Sequence, residues 1–181
     1  MIQAFSGRVW KFGDNVSGDN GILDFETVRD HSRPFDEVSL AELCFKTINP
    51  DFPKQVKPGD IVVGGINFAK PGHDQVVVAI RDCGVAAIIC ESCEARFVRK
   101  GINIGLPILV SPGISEFVEQ DHELEVDLAN GLLKNLSTGK TLPTEPYPQR
   151  LLDILRQGGI ITYLVHTLGE TAKPAETKAE A

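Results

Sequence analysis

One short loop holds the residues whose types and order could do chemistry. Residues 67–75 read NFAKPGHDQ, after an apolar run and before a segment with helical spacing. Strand, turn and helix N-terminus in this order often hold an anion, because free backbone N–H groups and the helix dipole point there. His73 is the candidate acid or base, since the free pKa of imidazole lies nearest neutrality. Lys70 could add positive charge beside the helix N-terminus.

A structural explanation accounts for the same residues without a ligand. Gly72, His73 and Asp74 could simply begin the helix, because an acidic side chain in the first turn is favourable to the helix dipole. Lys70, Pro71 and Gly72 have the composition of a tight turn. The residues of the loop alone leave both explanations open.

The elements that must position this loop follow an α/β pattern. Apolar or alternating runs predict strands, and apolar residues at helical spacing predict helices. The sequence predicts strands over residues 6–12, 60–68, 85–90 and 106–111, a β-hairpin over 123–136, and helices over 38–46, 73–81 and 149–157. Asn130 and Gly131 are the expected turn of the hairpin. Strand, loop, helix and strand in this order indicate an α/β domain.

The chain has the length of one domain with a small appendage. Its final stretch, GETAKPAETKAEA, has almost nothing to bury, which is typical of disorder. We therefore expect one folded domain over residues 1–167 and a disordered tail over residues 168–181.

Charge and hydropathy disfavour several kinds of partner. The formal net charge of −7 would repel nucleic acid and anionic membranes. No apolar run approaches the ~20 residues that span a bilayer. The opening segment, MIQAFSGRVWKFGD, lacks the apolar stretch of a secretion signal. We expect a cytoplasmic protein that binds neither nucleic acid nor a membrane.

The four cysteines are expected to be reduced thiols in that compartment. Cys90 and Cys93 form a Cys-x-x-Cys, a spacing that can bind a metal or act in redox chemistry. The sequence lacks a second ligand pair at such spacing, and VAAIICESC has the pattern of a buried strand that runs into a turn. Cysteine in such a strand usually acts as a small hydrophobic residue, so we expect no metal on this chain.

Several segments, in order and at natural spacing, resemble the small subunit of 3-isopropylmalate dehydratase, the swivelling domain of the aconitase family. GRVWKFGDNV is similar to the family's opening strand and the loop after it, and KPGDIVVGGINF to the strand that enters the active-site loop. Residues 99–107 match the family's Arg-x-x-x-Asn-x-Gly-Leu-Pro segment, and residues 135–140 and 151–164 are similar to its C-terminal part.

The likeness covers residues 6–167 and implies both a fold and a function. The implied fold is α/β, an aconitase-swivel-like β/β/α domain with a mixed sheet and a C-terminal hairpin plus a short helix. The implied function is that of the small subunit of a heterodimeric hydro-lyase, which dehydrates and rehydrates a small hydroxy-carboxylic acid in leucine biosynthesis. The family's large subunit holds a [4Fe–4S] cluster, so the cluster is expected on that partner and no cofactor on this chain.

The loop itself departs from the family pattern. Where the family has Asn-Phe-Gly-x-Gly-Ser-Ser-Arg-Glu, Gly72 stands for the proton-transferring serine, His73 for the second serine and Asp74 for the carboxylate-binding arginine. An aspartate would repel a substrate carboxylate by about 4 kcal/mol per contact pair at an effective dielectric near 20. In an active subunit, His73 would be the acid or base because its free pKa lies nearest neutrality, with Lys70, Gly72 and Asp74 around the substrate.

Cationic side chains from elsewhere could replace the lost arginine. Arg29, Arg33 and Arg99 are the candidate carboxylate contacts. The loop after the first strand departs from the family as well, since its usual Asp-Thr-Asp is Ser17, Gly18 and Asp19 here.

Three functions remain open at this point. The chain is either an active dehydratase subunit with altered substrate contacts, or a non-catalytic or substrate-switched paralogue that binds or regulates a large Fe–S subunit. The third possibility is a stand-alone binding module. The unbroken order of the family-like segments favours the dehydratase subunit.

Overall fold

The computed structural model describes residues 4–28 and 40–171 of the chain. Arg29, Arg33 and the chain from residue 172 onward lie outside the described residues. The last described helix continues to Thr171. The division into one domain and a disordered tail stays a prediction.

Seven β-strands form one mixed sheet in the described part of the chain. They are β1 (Phe5–Lys11), β2 (Ile61–Gly64), β3 (Ala87–Cys90), β4 (Ile108–Val110), β5 (Glu123–Asp127), β6 (Leu132–Asn135) and β7 (Thr141–Pro143). Their order across the sheet is β4-β3-β2-β1-β5-β6-β7. The pairs among β1, β2, β3 and β4 are parallel, whereas the pairs β1–β5, β5–β6 and β6–β7 are antiparallel. The expected mixed sheet is confirmed.

Helices connect and cover these strands. The described helices are α1 (Phe25–Val28), α2 (Leu40–Leu43), α3 (Phe52–Gln55), α4 (Asp74–Asp82), α5 (Ala95–Asn103), α6 (Ile114–Phe117), α7 (Gln149–Arg156) and α8 (Ile160–Thr171). Parallel neighbours need a crossover connection. Here α4 connects β2 to β3, and α5 connects β3 to β4.

Both faces of the sheet are buried, because successive side chains of a strand point to opposite faces. Val62 and Ile88 face a core that includes the inner sides of α4 and α5 and the ring of Phe68. Ile61 and Ile89 face a second core with α6, α7 and the β5–β6 hairpin. Burial on both sides explains why these strands read as continuous apolar runs.

Most of the predicted elements are confirmed, including the four strands, the hairpin and the helices at α4 and α7. The strand predicted over residues 60–68 is shorter, because β2 ends at Gly64 and residues 65–68 belong to the loop that follows. The expected helix over residues 38–46 is shorter in its described part, because α2 ends at Leu43. Phe45 has a φ of 55°, which a right-handed helix cannot continue through. Its buried ring stacks on Phe12 with the two centroids 4.1 Å apart.

Two longer helices, α5 and α8, were not predicted. The residues of α8 from Ile160 to Gly169 include no charged side chain. Charged residues therefore do not indicate a polar face, and the helical pattern is hard to recognise in the sequence. Of the described helices, none is both long and apolar enough to cross a membrane.

Candidate functional site

The carboxyl ends of β1, β2, β3 and β4 meet at one edge of the parallel half of the sheet. In open α/β sheets, ligands bind in the crevice outside these strand ends. The candidate loop, residues 65–73 between β2 and α4, lies at this edge. We call it the β2–α4 loop.

The loop after β1 holds one side of the β2–α4 loop. Asp14 Oδ1 accepts a hydrogen bond of 2.8 Å from the backbone N–H of Ile66. The Asn67 side-chain amide donates to Asn15 Oδ1 at 3.1 Å. The backbone N–H of Ala69 donates to Val16 O at 2.8 Å. These hydrogen bonds join the loop after β1 to the β2–α4 loop.

The loop after β3 holds the other side. The backbone N–H of Asn67 donates to Ser92 Oγ, and that of Phe68 donates to Ser92 O, both at 2.9 Å. Phe68 also forms an isolated β-bridge with Cys93. The β2–α4 loop is therefore fixed between its two neighbouring loops.

The backbone of the loop has an unusual course. Asn67 and Ala69 have φ values of 55° and 58°, in the left-handed region, and the Lys70–Pro71 peptide bond is cis. Gly18 passes so close that an added Cβ would lie 2.0 Å from Pro71 O. Only glycine allows this approach between the two loops.

His73 occupies the N-cap position of α4 but does not cap it, because its side chain makes no hydrogen bond to the first turn. Its Nε2 lies 3.3 Å from Asp19 Oδ1, and its ring lies 4.9 Å from the ring of Phe25 between centroids. Asp19 Oδ1 is buried and has no hydrogen-bond partner among the described residues, so the contact has ion-pair distance without hydrogen-bond alignment. The His73 side chain is 43% exposed. The imidazole is thus accessible and has a carboxylate beside it.

Helix α5 reaches the residues on both sides of His73. Lys100 Nζ donates to Gly72 O at 2.9 Å and lies 2.9 Å from Asp74 Oδ1. The backbone N–H of Gly72 donates to Glu94 Oε2 at 3.3 Å. Glu94 also pairs with Arg96, and this hydrogen bond is the largest reason why the pKa of the Glu94 carboxyl lies below its usual range.

The structure brings together some predicted site residues and separates another. Lys70, Gly72, His73 and Asp74 lie in one short stretch, and the Lys70 side chain is exposed, with no hydrogen bond or ion pair in the described part. Arg99 instead lines a groove between α5 and α7, with Leu151 and Ile154. Arg29 falls outside the described residues.

The Cys-x-x-Cys lies directly behind the loop. Cys90 ends β3 and is buried, and Cys93 is half-buried. A hydrogen bond from Cys90 lowers the pKa of the Cys93 thiol, although burial opposes this shift. The same bond, followed by burial, raises the pKa of Cys90. No group of three or more His, Cys, Asp or Glu side chains that could hold a metal occurs in residues 4–28 and 40–171.

Glu94 and Lys100 are site residues that the sequence analysis did not name, and Asp19 was named only as part of a loop that departs from the family. Asp19 follows the first strand of the parallel half, so the strand-end rule was the signal that could have found it. Lys100 lies on α5, which was not predicted as a helix, and Glu94 is the N-cap residue of that helix. Once α5 is known, their spacing places both near one side of it.

No protein-family model matches the chain, but whole-chain comparisons find relatives. It is 40% identical over 172 residues to the isopropylmalate/citramalate isomerase small subunit of Methanocaldococcus jannaschii, covering 94% of this chain and 99% of that protein. It is 39% identical over 165 residues to the 3-isopropylmalate dehydratase small subunit of Aquifex aeolicus, covering 90% and 95%. It is 36% identical over 163 residues to the methanogen homoaconitase small subunit of Methanothermobacter thermautotrophicus, covering 90% and 91%.

A solved structure matches the fold over almost its whole length. The crystal structure of 3-isopropylmalate dehydratase from Methanocaldococcus jannaschii aligns with a TM-score of 0.81 and 29% sequence identity, covering 96% of this chain and 100% of that one. The class of protein is therefore a dehydratase small subunit, part of a hydro-lyase. Within that class, the chain belongs to the family of 3-isopropylmalate dehydratase small subunits.

The comparisons confirm the resemblance, the α/β fold class and the function as a hydro-lyase small subunit. The designation "small subunit" implies a large-subunit partner. The non-catalytic alternative gains no support from these relatives, and neither does the stand-alone module.

Proposed function

We propose that the chain joins a large subunit carrying a [4Fe–4S] cluster and that the complex reversibly removes water from a small hydroxy-carboxylic acid. His73 moves the proton at the small-subunit side of the site. Family membership supports the assembly and the reaction type. The observation that carries the role of His73 is the contact of its accessible imidazole with the Asp19 carboxylate at 3.3 Å.

The cluster belongs to the partner in this proposal. The described residues of this chain offer one Cys-x-x-Cys, of which Cys90 is buried, and no third ligand beside it. A site-differentiated iron, when bound by the large subunit, supplies Lewis-acid polarisation of the substrate hydroxyl. This chain supplies side chains that bind, orient and move a proton.

His73 fits the proton-transfer role by chemistry and by placement. Gly72, at the position of the family's serine, has no side chain, and His73 is the neighbouring group that can hold or release a proton near neutral pH. Asp19 limits the orientations of the imidazole, because its carboxylate lies on the Nε2 side.

Anion binding is assigned to Lys70 and the N-terminus of α4. Lys70 is exposed within the β2–α4 loop, and the helix dipole adds positive potential at the N-terminus of α4. Asp74 keeps its place near the substrate, but Lys100 offsets its charge. Arg29 and Arg99 remain proposed carboxylate contacts. Since Arg99 faces α7, it would reach substrate only if the large subunit places substrate in the α5–α7 groove.

The substrate class follows from the relatives' names together with this charge pattern. Those relatives are named as small subunits of an isopropylmalate/citramalate isomerase, a 3-isopropylmalate dehydratase and a homoaconitase. For this chain we assign a small hydroxy acid of the same kind, and isopropylmalate would place it in leucine biosynthesis. Four free cysteines support the expected cytoplasmic location.

The test is turnover of the complex reconstituted anaerobically from this chain and its large subunit. His73→Ala should reduce kcat by roughly a hundredfold or more, as expected for loss of a general acid or base. Co-purification of the two subunits should stay unchanged. His166→Ala, an exposed histidine on α8, is the matched control. Unchanged kcat in His73→Ala would contradict the role of His73.

Recovery of the partner tests the assembly separately. Affinity capture of this chain from its native extract under anaerobic conditions should bring down a large subunit in near-equal amount, with bound iron and sulfide. A chain that is recovered alone would contradict the proposed complex.

A further inference from the structure

Gly72 is held by one side of α5 together with Glu94, the N-cap residue of that helix. Its N–H donates to Glu94 Oε2 at 3.3 Å, and its C=O accepts from Lys100 Nζ at 2.9 Å. An added Cβ on Gly72 would lie 3.0 Å from the Cβ of Phe97. Glu94 is the N-cap residue of α5, and Phe97 and Lys100 follow it at intervals of three residues, so all three lie on the side of α5 that faces Gly72. The backbone of Gly72 has little freedom in this arrangement.

Lys100 contacts the residue before His73 and the residue after it. The Gly72 C=O belongs to the peptide group that enters His73, and Asp74 Oδ1 lies 2.9 Å from the same ammonium group. A rotation of the Gly72–His73 peptide would change the direction of the Cα–Cβ bond of His73, and with it the distance from the imidazole to Asp19. The Lys100 side chain is 30% exposed, so it lies between the helices rather than in open solvent.

We propose that Lys100 is a positioning residue for His73, acting through the Gly72 carbonyl and the Asp74 carboxylate. This inference rests on the proposed function for its catalytic consequence, but not for its structural content. Lys100 does not touch substrate in this scheme: two of its three N–H donors face Gly72 O and Asp74 Oδ1, and its role is to hold the backbone on both sides of His73. Its effect is on where the imidazole is held, and misplacement of a catalytic group by about 1 Å can cost roughly a hundredfold in rate.

The first measurement concerns the free full-length chain and does not depend on activity. The His73 ring lies 4.9 Å from Phe25 between centroids, so its ring protons should show a ring-current shift in NMR spectra. Lys100→Met should move these resonances toward the values of an unstructured histidine. Lys100→Arg, which can donate to both acceptors, should largely retain them. Lys134→Met, the same change on the exposed side of β6, is the matched control. Unchanged His73 resonances in Lys100→Met would overturn the inference.

The second measurement concerns the reconstituted complex. Lys100→Met should lower kcat by roughly ten- to a hundredfold while KM changes by less than about twofold, and Lys100→Arg should recover much of the loss. A raised KM with unchanged kcat would overturn the inference, since Lys100 would then be binding substrate. Failure of the proposed function can be distinguished from failure of this inference. If the proposed function is wrong, His73→Ala leaves kcat unchanged. The NMR shifts of the free chain still report whether Lys100 positions the His73 ring.

Discussion

Asp74 and Lys100 form an ion pair, with Asp74 Oδ1 2.9 Å from Lys100 Nζ, that joins the first turn of α4 to α5. The Asp74 side chain is 76% exposed, and pairs of this kind contribute at most about 1 kcal/mol to stability. The larger consequence is electrostatic. An acidic side chain at the edge of the loop that we propose to bind an anion is offset by a cation from the neighbouring helix.

Asp74→Asn tests how strongly the Asp74 carboxylate still repels a substrate carboxylate when Lys100 is paired with it. Loss of the negative charge should lower KM for a carboxylate substrate by roughly two- to fivefold in the complex, because a screened surface charge acts weakly. The effect should shrink as salt is added. The asparagine amide oxygen can still accept from Lys100, so kcat should change little.

Asp82→Asn is the matched control for that prediction. Asp82 ends α4, pairs with Arg81 at 2.8 Å and lies at the opposite end of the helix from the loop. Its variant should leave KM unchanged. A rise in KM in Asp74→Asn would mean that the Asp74 carboxylate contacts the substrate favourably.

Gly18→Ala should disturb the loop from the other side. Its Cβ would lie 2.0 Å from the carbonyl oxygen of Pro71, and a backbone atom cannot rotate aside. We expect a loss of about 1–3 kcal/mol in the free energy of unfolding and a marked fall in kcat, because the loops must separate. Thermal denaturation and turnover measure both effects.

Gly13→Ala, in the same loop after β1, provides the comparison. A Cβ on Gly13 meets no atom within 4 Å, so this variant should be close to neutral. Equal behaviour of the two variants would show that contact with Pro71 does not restrict the residue at position 18.

Local sequence patterns were sufficient for the elements that carry the loop. The run DIVVGGINF predicts β2 because both of its faces are buried, and HDQVVVAIR predicts α4 because its apolar residues recur at helical spacing. The position of His73 at the start of α4 followed from these two elements. The loop could therefore be located before any tertiary contact was known.

The partners of the loop could not be predicted in this way. Lys100 contacts Gly72 across 28 residues of chain, through a helix that was not predicted. Asp19 lies in a loop rich in Gly, Asp and Asn, where composition does not indicate which carboxylate faces the histidine. Such contacts depend on how β1, β2 and β3 are ordered in the sheet, and a single sequence does not contain that order explicitly.

Asp60 should be the main acid-sensitive group in the core beside β1. Its Oδ2 accepts from Arg8 Nη2 at 2.9 Å, Trp10 Nε1 at 2.7 Å and the backbone N–H of Lys57 at 3.0 Å. Burial opposes ionisation of this carboxyl, but the hydrogen bonds outweigh it and hold its pKa below the usual range. As the pH falls below about 4, the unfolded chain binds the proton first, so this stabilisation is complete at neutral pH and lost through the folded-state pKa.

Asp60→Ala should therefore lower the free energy of unfolding by about 3 kcal/mol at pH 7, since three donors lose a buried acceptor. The free energy of unfolding of this variant, measured in urea, should also vary less between about pH 5 and pH 3, the range around the pKa of a free aspartate carboxyl. Asp121→Asn is the control: Asp121 lies 3.5 Å from the same Arg8 but is 62% exposed, and asparagine suits its φ of 65°, so loss of the charge should cost at most about 1 kcal/mol. Equal losses in both variants would contradict the role of burial.

Cys93 should be the reactive thiol of the pair behind the loop. The hydrogen bond from Cys90 lowers the pKa of Cys93, so its alkylation by iodoacetamide should be half-maximal at a lower pH than in the Cys90→Ala variant. Cys90 Sγ also lies 3.6 Å from Leu109 O, and its single hydrogen can serve only one acceptor fully. Mass spectrometry of peptides alkylated across a pH series measures the midpoint. Cys44→Ala, which removes another buried thiol, should leave the midpoint of Cys93 alkylation unchanged. If Cys90→Ala also leaves that midpoint unchanged, the Cys90 thiol donates its hydrogen to Leu109 O instead.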